Sequence, residues 1–500
     1  MADVSGLLSW FQANGGSLDA SVGFKMFLGC GRGAVALADI PEGHVLFTIP
    51  RGLLLSTETS GLPGNVGFER WKTAKMHIGW AGLILCMMWE TAQGPRSRWA
   101  QYLGSLPTAF DTPMFWSDLE LEQLKGTSVV GKLGKEDAER DFTEKLIPLV
   151  RSRPDLFPPE TIPQYYTLEI YHVMGSRILS RSFNVEKDEP EEEEREEGET
   201  PAEEDGADAS GEDGVGNTSL GSAMEVDGEV PSVHSDDSES DEDEDEDEPS
   251  AVAMVPLADM LNAQYGSENA KLFYEKDVLR MMSTKSIPLG EQIWNTYGDL
   301  PNAELLRRYG HVDLLPLPGF PDALGNPGDI VELPADLAVP SDADADAIKA
   351  RIDWWLEQGG DDVLVLESDL EIPPALASLI RLLRLPVPEW EKAVAKDKPP
   401  KPVLDAEVLG VVRTVLERRR DAYPTPLAED LLLLGAPDAD LLPLHTRHAL
   451  IVRIGEKRII EGALQKVAGL LAAGDGKRKR KGREEEGEGR AGKTKTRRRG

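Results

Sequence analysis

Between Phe183 and Ala251 the chain loses its apolar periodicity and turns to Glu, Asp, Ser and Gly, ending in the run DSESDEDEDEDEP. Residues 186–250 hold 30 acidic side chains against Lys187 and Arg195, so this stretch alone carries −28 of the formal −35. Like charges repel, and a segment so poor in apolar surface cannot offset the entropy of being ordered. A disordered acidic insertion is therefore expected over 186–250. Apolar patterning stops at Phe183 and resumes at Met254, which puts the insertion in a surface loop of one domain, with the residues on either side belonging together.

At 500 residues the chain exceeds what one core organises, so two folded domains plus unfolded stretches are expected. Residues 476–500 carry 12 Lys and Arg against 4 Glu and read as a disordered basic tail; without both charged stretches about −15 remains. That balance offers no broad basic face for phosphates, so no specific nucleic-acid target is expected and basic protein segments are the better partners. Cys30 and Cys86 are too few for a disulfide framework or a cysteine-rich zinc cluster, and no metal site is expected. They suit a reducing, intracellular compartment. The N-terminus lacks a charged segment followed by an apolar run. The longest apolar run, Ile78 to Trp89, is too short to span a bilayer and suits a buried helix. A soluble monomer, neither secreted nor membrane-bound, is expected.

Ala34 to Pro50 reads as two short strands around Pro41-Glu42-Gly43, and Met281 to Tyr297 repeats the plan around Ser286 to Gly290. Each is expected to form a β-hairpin. Trp80 to Trp89 and Thr167 to Leu179 suit helices, so residues 20–300 read as a mixed α+β domain. Farther on, apolar residues recur at helical spacing: Ile348, Ile352 and Trp355, then Leu376, Leu379 and Leu383, then Val408, Val412 and Val415. His445 to Ala473 adds a long amphipathic helix through Ile459, Ile460, Leu464, Val467 and Leu471. Residues 301–475 are expected to form an all-α second domain, with KDKPPKP at 396–402 as a loop inside it.

The most informative block runs from Val255 to Asp313 and contains ADMLNAQYG and EQIWNTYGDLPNAELLRRYGHVD. Upstream stand GCGRGAVALADIPEGHVLFTIPR at 29–51, SRWAQYLGSLP at 97–107, MFWSDLELEQLKGTSV at 114–129 and SRILSRSF at 176–183. With these motifs, residues 25–313 resemble the SET domain of Rubisco and ribosomal-protein lysine methyltransferases. Within that class they resemble the branch of fungal ribosomal lysine N-methyltransferase 4 and animal SET domain-containing protein 6. The helical remainder resembles the substrate-binding domain of the same enzymes; the acidic insertion and basic tail fall outside the likeness. The resemblance implies short β-sheets around a knotted cofactor site, interrupted by helical and disordered insertions and followed by the helical domain. It also implies S-adenosylmethionine as cofactor and transfer of its methyl group to a lysine of another protein, with a large-subunit ribosomal protein as the leading target.

The resemblance assigns roles residue by residue. Gly31-Arg32-Gly33 is by itself a tight turn, but at this position the family wraps the methionine end of the cofactor, making Arg32, Gly33 and Ala34 candidate contacts. Arg181 matches a position whose guanidinium reaches the cofactor and is suited to its carboxylate. Asn262 offers a donor and an acceptor. Asp259 is read as structural, tying its turn to nearby backbone. Where the family usually has His, this chain has Ala263, which leaves only a backbone contact. Tyr297 is the candidate catalytic tyrosine, and Tyr309 matches an aromatic that lines the cofactor or lysine channel. Trp99 and Phe183 are weaker candidates for binding the substrate, as residue types more often found in a core.

A lysine with a pKa of about 10.4 must lose its proton before it can accept a methyl group, and an apolar channel beside a sulfonium charge favours that loss. Two other readings compete. One is an inactive SET fold whose acidic insertion binds basic proteins as a chaperone would. The other is a histone-directed enzyme, against which stands the absence of the cysteine-rich zinc segment that often follows such domains. The clusters at 477–481 and 497–499 read as nuclear-import signals, so a nuclear location is expected, with the cytoplasm a further one.

Overall fold

A computed structural model of the chain describes residues 4–185, 251–318, 320–340 and 344–491. The acidic insertion expected over 186–250 and the end of the basic tail, 492–500, lie outside the described residues. Two compact units are present, the first made of Met1–Thr108 and Glu136–Gly298, the second of Ala109–Lys135 and Asp299–Gly500.

The first unit holds two four-stranded sheets. One has the order Ser17–Leu18, Val45–Pro50, Val278–Ser283, Ala270–Tyr274, antiparallel throughout. The other runs Val22–Phe27, Gly31–Ala36, Gln292–Asn295, Asn262–Ala263, with the last pair parallel. Both strand-turn-strand stretches expected from the sequence form strands, but neither is a hairpin. Each sends one strand into each sheet, and the two stretches pair with one another: Val35 lies opposite Gln292, Thr48 opposite Arg280, and Ile40 bridges to Ile287. Eight residues separate the strands in each stretch, where tight hairpins use two to five. Ile40 and Ile287, 2% and 1% exposed, instead bury the two corners together.

A true hairpin joins Val22–Phe27 to Gly31–Ala36 through Leu28-Gly29-Cys30, with Gly29 and Gly31 at φ +80 and +70, where a side chain is disfavoured. Ser182–Val185 pairs antiparallel with Ala251–Met254, Val185 opposite Ala251, so the two flanks of the acidic stretch meet in one ribbon. Helix Ala81–Ala92 is buried from Ala81 through Met88, as its uninterrupted apolar run suggests. Helix Leu168–Arg181 begins where Thr167 Oγ1 accepts from the Ile170 N–H, and buries Tyr171, Met174 and Ile178 at helical spacing. Burial of each such large apolar side chain contributes about 1.5–3 kcal/mol.

The second unit is helical: Ala345–Glu357, Pro374–Leu383, Val387–Lys396, Ala406–Asp421, Leu427–Leu434 and Leu444–Ala491. Asp344 and Asp405 cap two of these helices through N–H groups of Ala347, Glu407 and Val408. Three features depart from the sequence expectations. The domain expected as all-α also contains two antiparallel ribbons, Leu315–Leu317 with Phe320–Gly325 and Ile330–Pro334 with Val363–Glu367. In the second ribbon IVELP and VLVLE alternate inward and outward at a period of two, a short signal beside the longer helical patterns. Residues 109–135, placed by sequence within the first domain, pack in the second unit. There Trp116 stacks on His445 at 4.5 Å and Arg453 Nη1 donates to the Gln123 carbonyl at 2.6 Å. The last helix runs on to Ala491, past residue 476 where a disordered tail was expected; Lys, Arg and Glu are themselves good helix formers.

Among the described residues no helix is long and apolar enough to cross a membrane, and no group of His, Cys, Asp and Glu is arranged to hold a metal ion.

Candidate active site

The sequence motifs converge in the first unit around Gly33. Backbone pairing does the positioning: Ala34 lies opposite Ile293, Trp294 opposite Asn262, and Asn295 opposite Ala263, so three segments distant in sequence lie side by side. Gly33 is needed for its lack of a Cβ, which would stand 2.5 Å from Asn262 Nδ2 and 2.9 Å from Gln292 Nε2. Both amide nitrogens are buried and have no hydrogen-bond partner.

Next to this strand trio the turn Ala258–Met260 presents Asp259, 7% exposed. It is preceded by Leu257 at φ 72 and ψ −44, a strained γ-turn geometry costing about 1–3 kcal/mol. Such strain persists only where the surroundings over-determine it, and Leu257 is fully buried. Arg181 Nη1 donates to the Asp259 carbonyl at 2.5 Å, Tyr102 donates its hydroxyl to Asp259 Oδ2 at 3.0 Å, and Arg32 Nη2 donates to the Ser105 carbonyl at 2.8 Å. Arg181 Nε and Asp259 Oδ1 are buried without partners. Burial raises the Asp259 pKa against the opposing pull of Arg181. Burial likewise lowers the Arg32 pKa, with repulsion from Arg181 adding to it. Arg177, whose Nε donates to the Pro107 carbonyl at 2.9 Å, is drawn down to about 10, chiefly by burial.

Tyr297 follows the strand Gln292–Asn295 and donates its hydroxyl to the Leu261 carbonyl at 3.1 Å. Loss of water around the phenol pushes its pKa up to about 12; Arg181 opposes the shift, while Asp259 and the Cys30 thiol add to it. The phenol is therefore protonated throughout the physiological range and acts as a hydrogen-bonding group, not a base.

A buried surface with bare donors at Asn262, Gln292 and Arg181, a bare acceptor at Asp259 and a missing Cβ at Gly33 fits a polar ligand better than a closed core. Comparison with known proteins identifies the architecture. The chain matches "Structure of Rubisco LSMT bound to AdoMet" with a TM-score of 0.61 at 18% identity, covering 94% of this chain and 93% of that one. It matches "Crystal structure of the SET domain of LSMT bound to Lysine and AdoHcy" with a TM-score of 0.63 at 18% identity, covering 93% and 91%. The family described as Rubisco LSMT substrate-binding matches residues 342–460. This chain has the SET-domain fold, and its residues 342–460 are similar to the Rubisco LSMT substrate-binding family.

Relatives by sequence agree. "Ribosomal lysine N-methyltransferase 4" of Saccharomyces cerevisiae is 32% identical over 286 residues, which is 57% of this chain and 49% of that protein. "N-lysine methyltransferase setd6" of Danio rerio is 34% identical over 291 residues, 57% and 51% respectively. "N-lysine methyltransferase SETD6" of Homo sapiens is 27% identical over 462 residues, 87% and 84%. The chain thus spans about half the length of the first two at the higher identity.

Within the SET fold, Gly33, Ala34, Asn262 and Ala263 are brought together on adjacent strands, and Arg181 and Tyr297 lie close to Asp259. Arg32 is in the same strand as Gly33, its guanidinium already engaged by Ser105. Tyr309 belongs to the second unit, at the end of helix Asn302–Tyr309 and 6.0 Å from the His311 ring. The two proposed substrate contacts are core residues instead. Trp99 is 2% exposed and donates its indole N–H to the Leu53 carbonyl, and Phe183, 3% exposed, packs in the same apolar cluster. Large aromatics contribute most by full burial, and although both stand in motifs, at 97–107 and 176–183, local sequence does not tell a core aromatic from one that lines a pocket. Sequence reasoning missed Gln292, Tyr102 and Arg177. Gln292 sits between Glu291 and Ile293 on a short strand, where nothing local shows which polar residue faces inward.

Proposed function

We propose that the protein is an S-adenosylmethionine-dependent protein-lysine N-methyltransferase acting on a lysine of a large-subunit ribosomal protein. The observation that carries the proposal is the pair of buried amides, Asn262 and Gln292, crowding the place where Gly33 lacks a Cβ, with the bare Arg181 Nε and a protonated Tyr297 in the same unit. The names of the relatives, lysine methyltransferases including a ribosomal one, support the reaction class and the target. Residues suited to hold the cofactor are Gly33, Ala34, Arg181, Asn262 and Ala263. When bound, S-adenosylmethionine supplies an electrophilic methyl group on a sulfonium. Arg181 provides a positive charge and free Nε–H for an anionic group, and Asn262 an amide able to donate and accept. Tyr297, anchored on Leu261, keeps its proton and is suited to orient an amine or a polarised C–H through its oxygen without titrating. Desolvation and the nearby sulfonium charge lower the lysine pKa, so its ammonium gives its proton to water before the amine accepts the methyl group. The protein is further proposed to work as a monomer in the nucleus, on the strength of the basic clusters at 477–481 and 497–499.

Tritium transfer from labelled S-adenosylmethionine to extracted ribosomal proteins and histones tests the proposal. A labelled ribosomal band that disappears in Tyr297→Phe and Asn262→Ala is expected. No label on either fraction, with no cofactor binding by calorimetry, overturns the enzyme and favours an acidic binding module; label on histones alone overturns the ribosomal target.

A further inference from the structure

Gln292 has no role in the known motifs, yet it stands between the segments that build the site. It is 8% exposed, opposite Val35, and its buried Nε2 has no hydrogen-bond partner. Asn262 Nδ2 is equally bare, and both nitrogens crowd the point where Gly33 lacks a Cβ, at 2.9 Å and 2.5 Å from it. Two amide NH2 groups that face the same point are both donors and cannot bond one another. A buried donor left bare costs about 1–3 kcal/mol, so a lasting arrangement of this kind is unfavourable. A half-turn of the Gln292 amide exchanges its nitrogen and oxygen, and Asn262 Nδ2 then has an acceptor.

We propose that Gln292 is a positioning residue for Asn262: its Oε1 accepts from Asn262 Nδ2 and so fixes Asn262 Oδ1 as the acceptor offered to the bound methyl donor. The inference rests on the proposed function for the identity of that ligand. Gly33 belongs to the device, since any side chain there would occupy the space in which the two amides meet. Left to rotate, Asn262 would present donor and acceptor to the ligand interchangeably; held by Gln292, it presents one.

The test is S-adenosylmethionine binding by calorimetry on the full chain, alongside thermal unfolding, for Gln292→Leu, Gln292→Glu, Asn262→Ala and the double variant Asn262→Ala/Gln292→Leu. Gln292→Leu should weaken binding about tenfold, a change of about 1.4 kcal/mol. Gln292→Glu, which keeps an acceptor, should stay within about threefold of the parent. The double variant should bind no worse than Asn262→Ala, because Gln292 acts through Asn262. Gln292→Met replaces Gln292→Leu if the latter unfolds. Affinity of the apolar variants within about twofold of the parent, or losses that add in the double variant, overturn the inference alone. A parent that binds no S-adenosylmethionine overturns the proposed function and the inference with it. A purely structural Gln292 would lower the unfolding temperature and leave the cofactor affinity of the folded protein unchanged.

Discussion

Two buried carboxylates of the second unit, Asp430 and Glu456, are fully partnered, whereas buried polar groups of the first, at Asn262, Gln292, Arg181 and Asp259, are not. Asp430, on helix Leu427–Leu434, accepts from Arg453 and, at 2.6 Å, from Lys457 Nζ, both on the long helix Leu444–Ala491, and from Thr425 at 2.7 Å. Glu456 accepts from Arg419 at 3.2 Å, from Ser128 at 3.1 Å and from the Tyr423 hydroxyl. Neither carboxylate has an unpartnered oxygen. In the first unit Asn262, Gln292, Arg181 and Asp259 each leave a buried atom bare. Charges removed from water are tolerated when every lone pair and proton is matched, so the second arrangement ties helices together. Buried groups left bare cost the fold about 1–3 kcal/mol each, and a ligand that pairs them recovers that cost. Under the proposed function, the same burial serves structure at Asp430 and Glu456 and binding beside Gly33.

The contrast is broken or sharpened by a graded set of substitutions. Asp430→Ala leaves Arg453 and Lys457 buried without their anion and should destabilise the fold by about 3–5 kcal/mol in urea or thermal unfolding. A loss below about 1 kcal/mol would mean water reaches the network. Glu456→Gln keeps the shape but gives up charge-assisted bonds to Arg419 and Tyr423, for a loss of about 1.5–3 kcal/mol. Tyr297 gives a smaller, pH-dependent effect. Its folded pKa of about 12 lies above the ordinary value of about 10, so its contribution is complete below about pH 10 and is lost as pH rises toward 12. Over that window the parent should lose unfolding temperature faster than Tyr297→Phe; parallel curves would show an unshifted phenol. Asn262→Leu gives up at most one neutral amide hydrogen bond and should cost no more than about 1.5 kcal/mol, while cofactor binding falls. A stability loss as large as that of Asp430→Ala would erase the distinction between the two units.

Much of the site was readable because its residues stand in motifs: Gly33 beside Arg32, Asn262 after Asp259, Tyr297 before Gly298. Gln292 was not, since its meaning comes from the two strands on either side, one from residues 31–36 and one from 262–263. Trp99 and Phe183 show the same dependence: an aromatic near a motif lines a pocket or fills a core according to what covers it, and both lie in the apolar cluster that also holds Ala34.

Taken alone, the sequence determined where strands and helices form, where the acidic stretch interrupts them and which segments carry the motifs, because periodicity, caps and charge repulsion act over a few residues. Tertiary structure decided the partners. It paired residues 31–50 with 278–295 across two sheets instead of folding each into a hairpin, and it moved 109–135 into the second unit. It also brought two bare amides against one glycine. Those choices depend on contacts between residues tens to hundreds of positions apart, and local propensity carries no record of them.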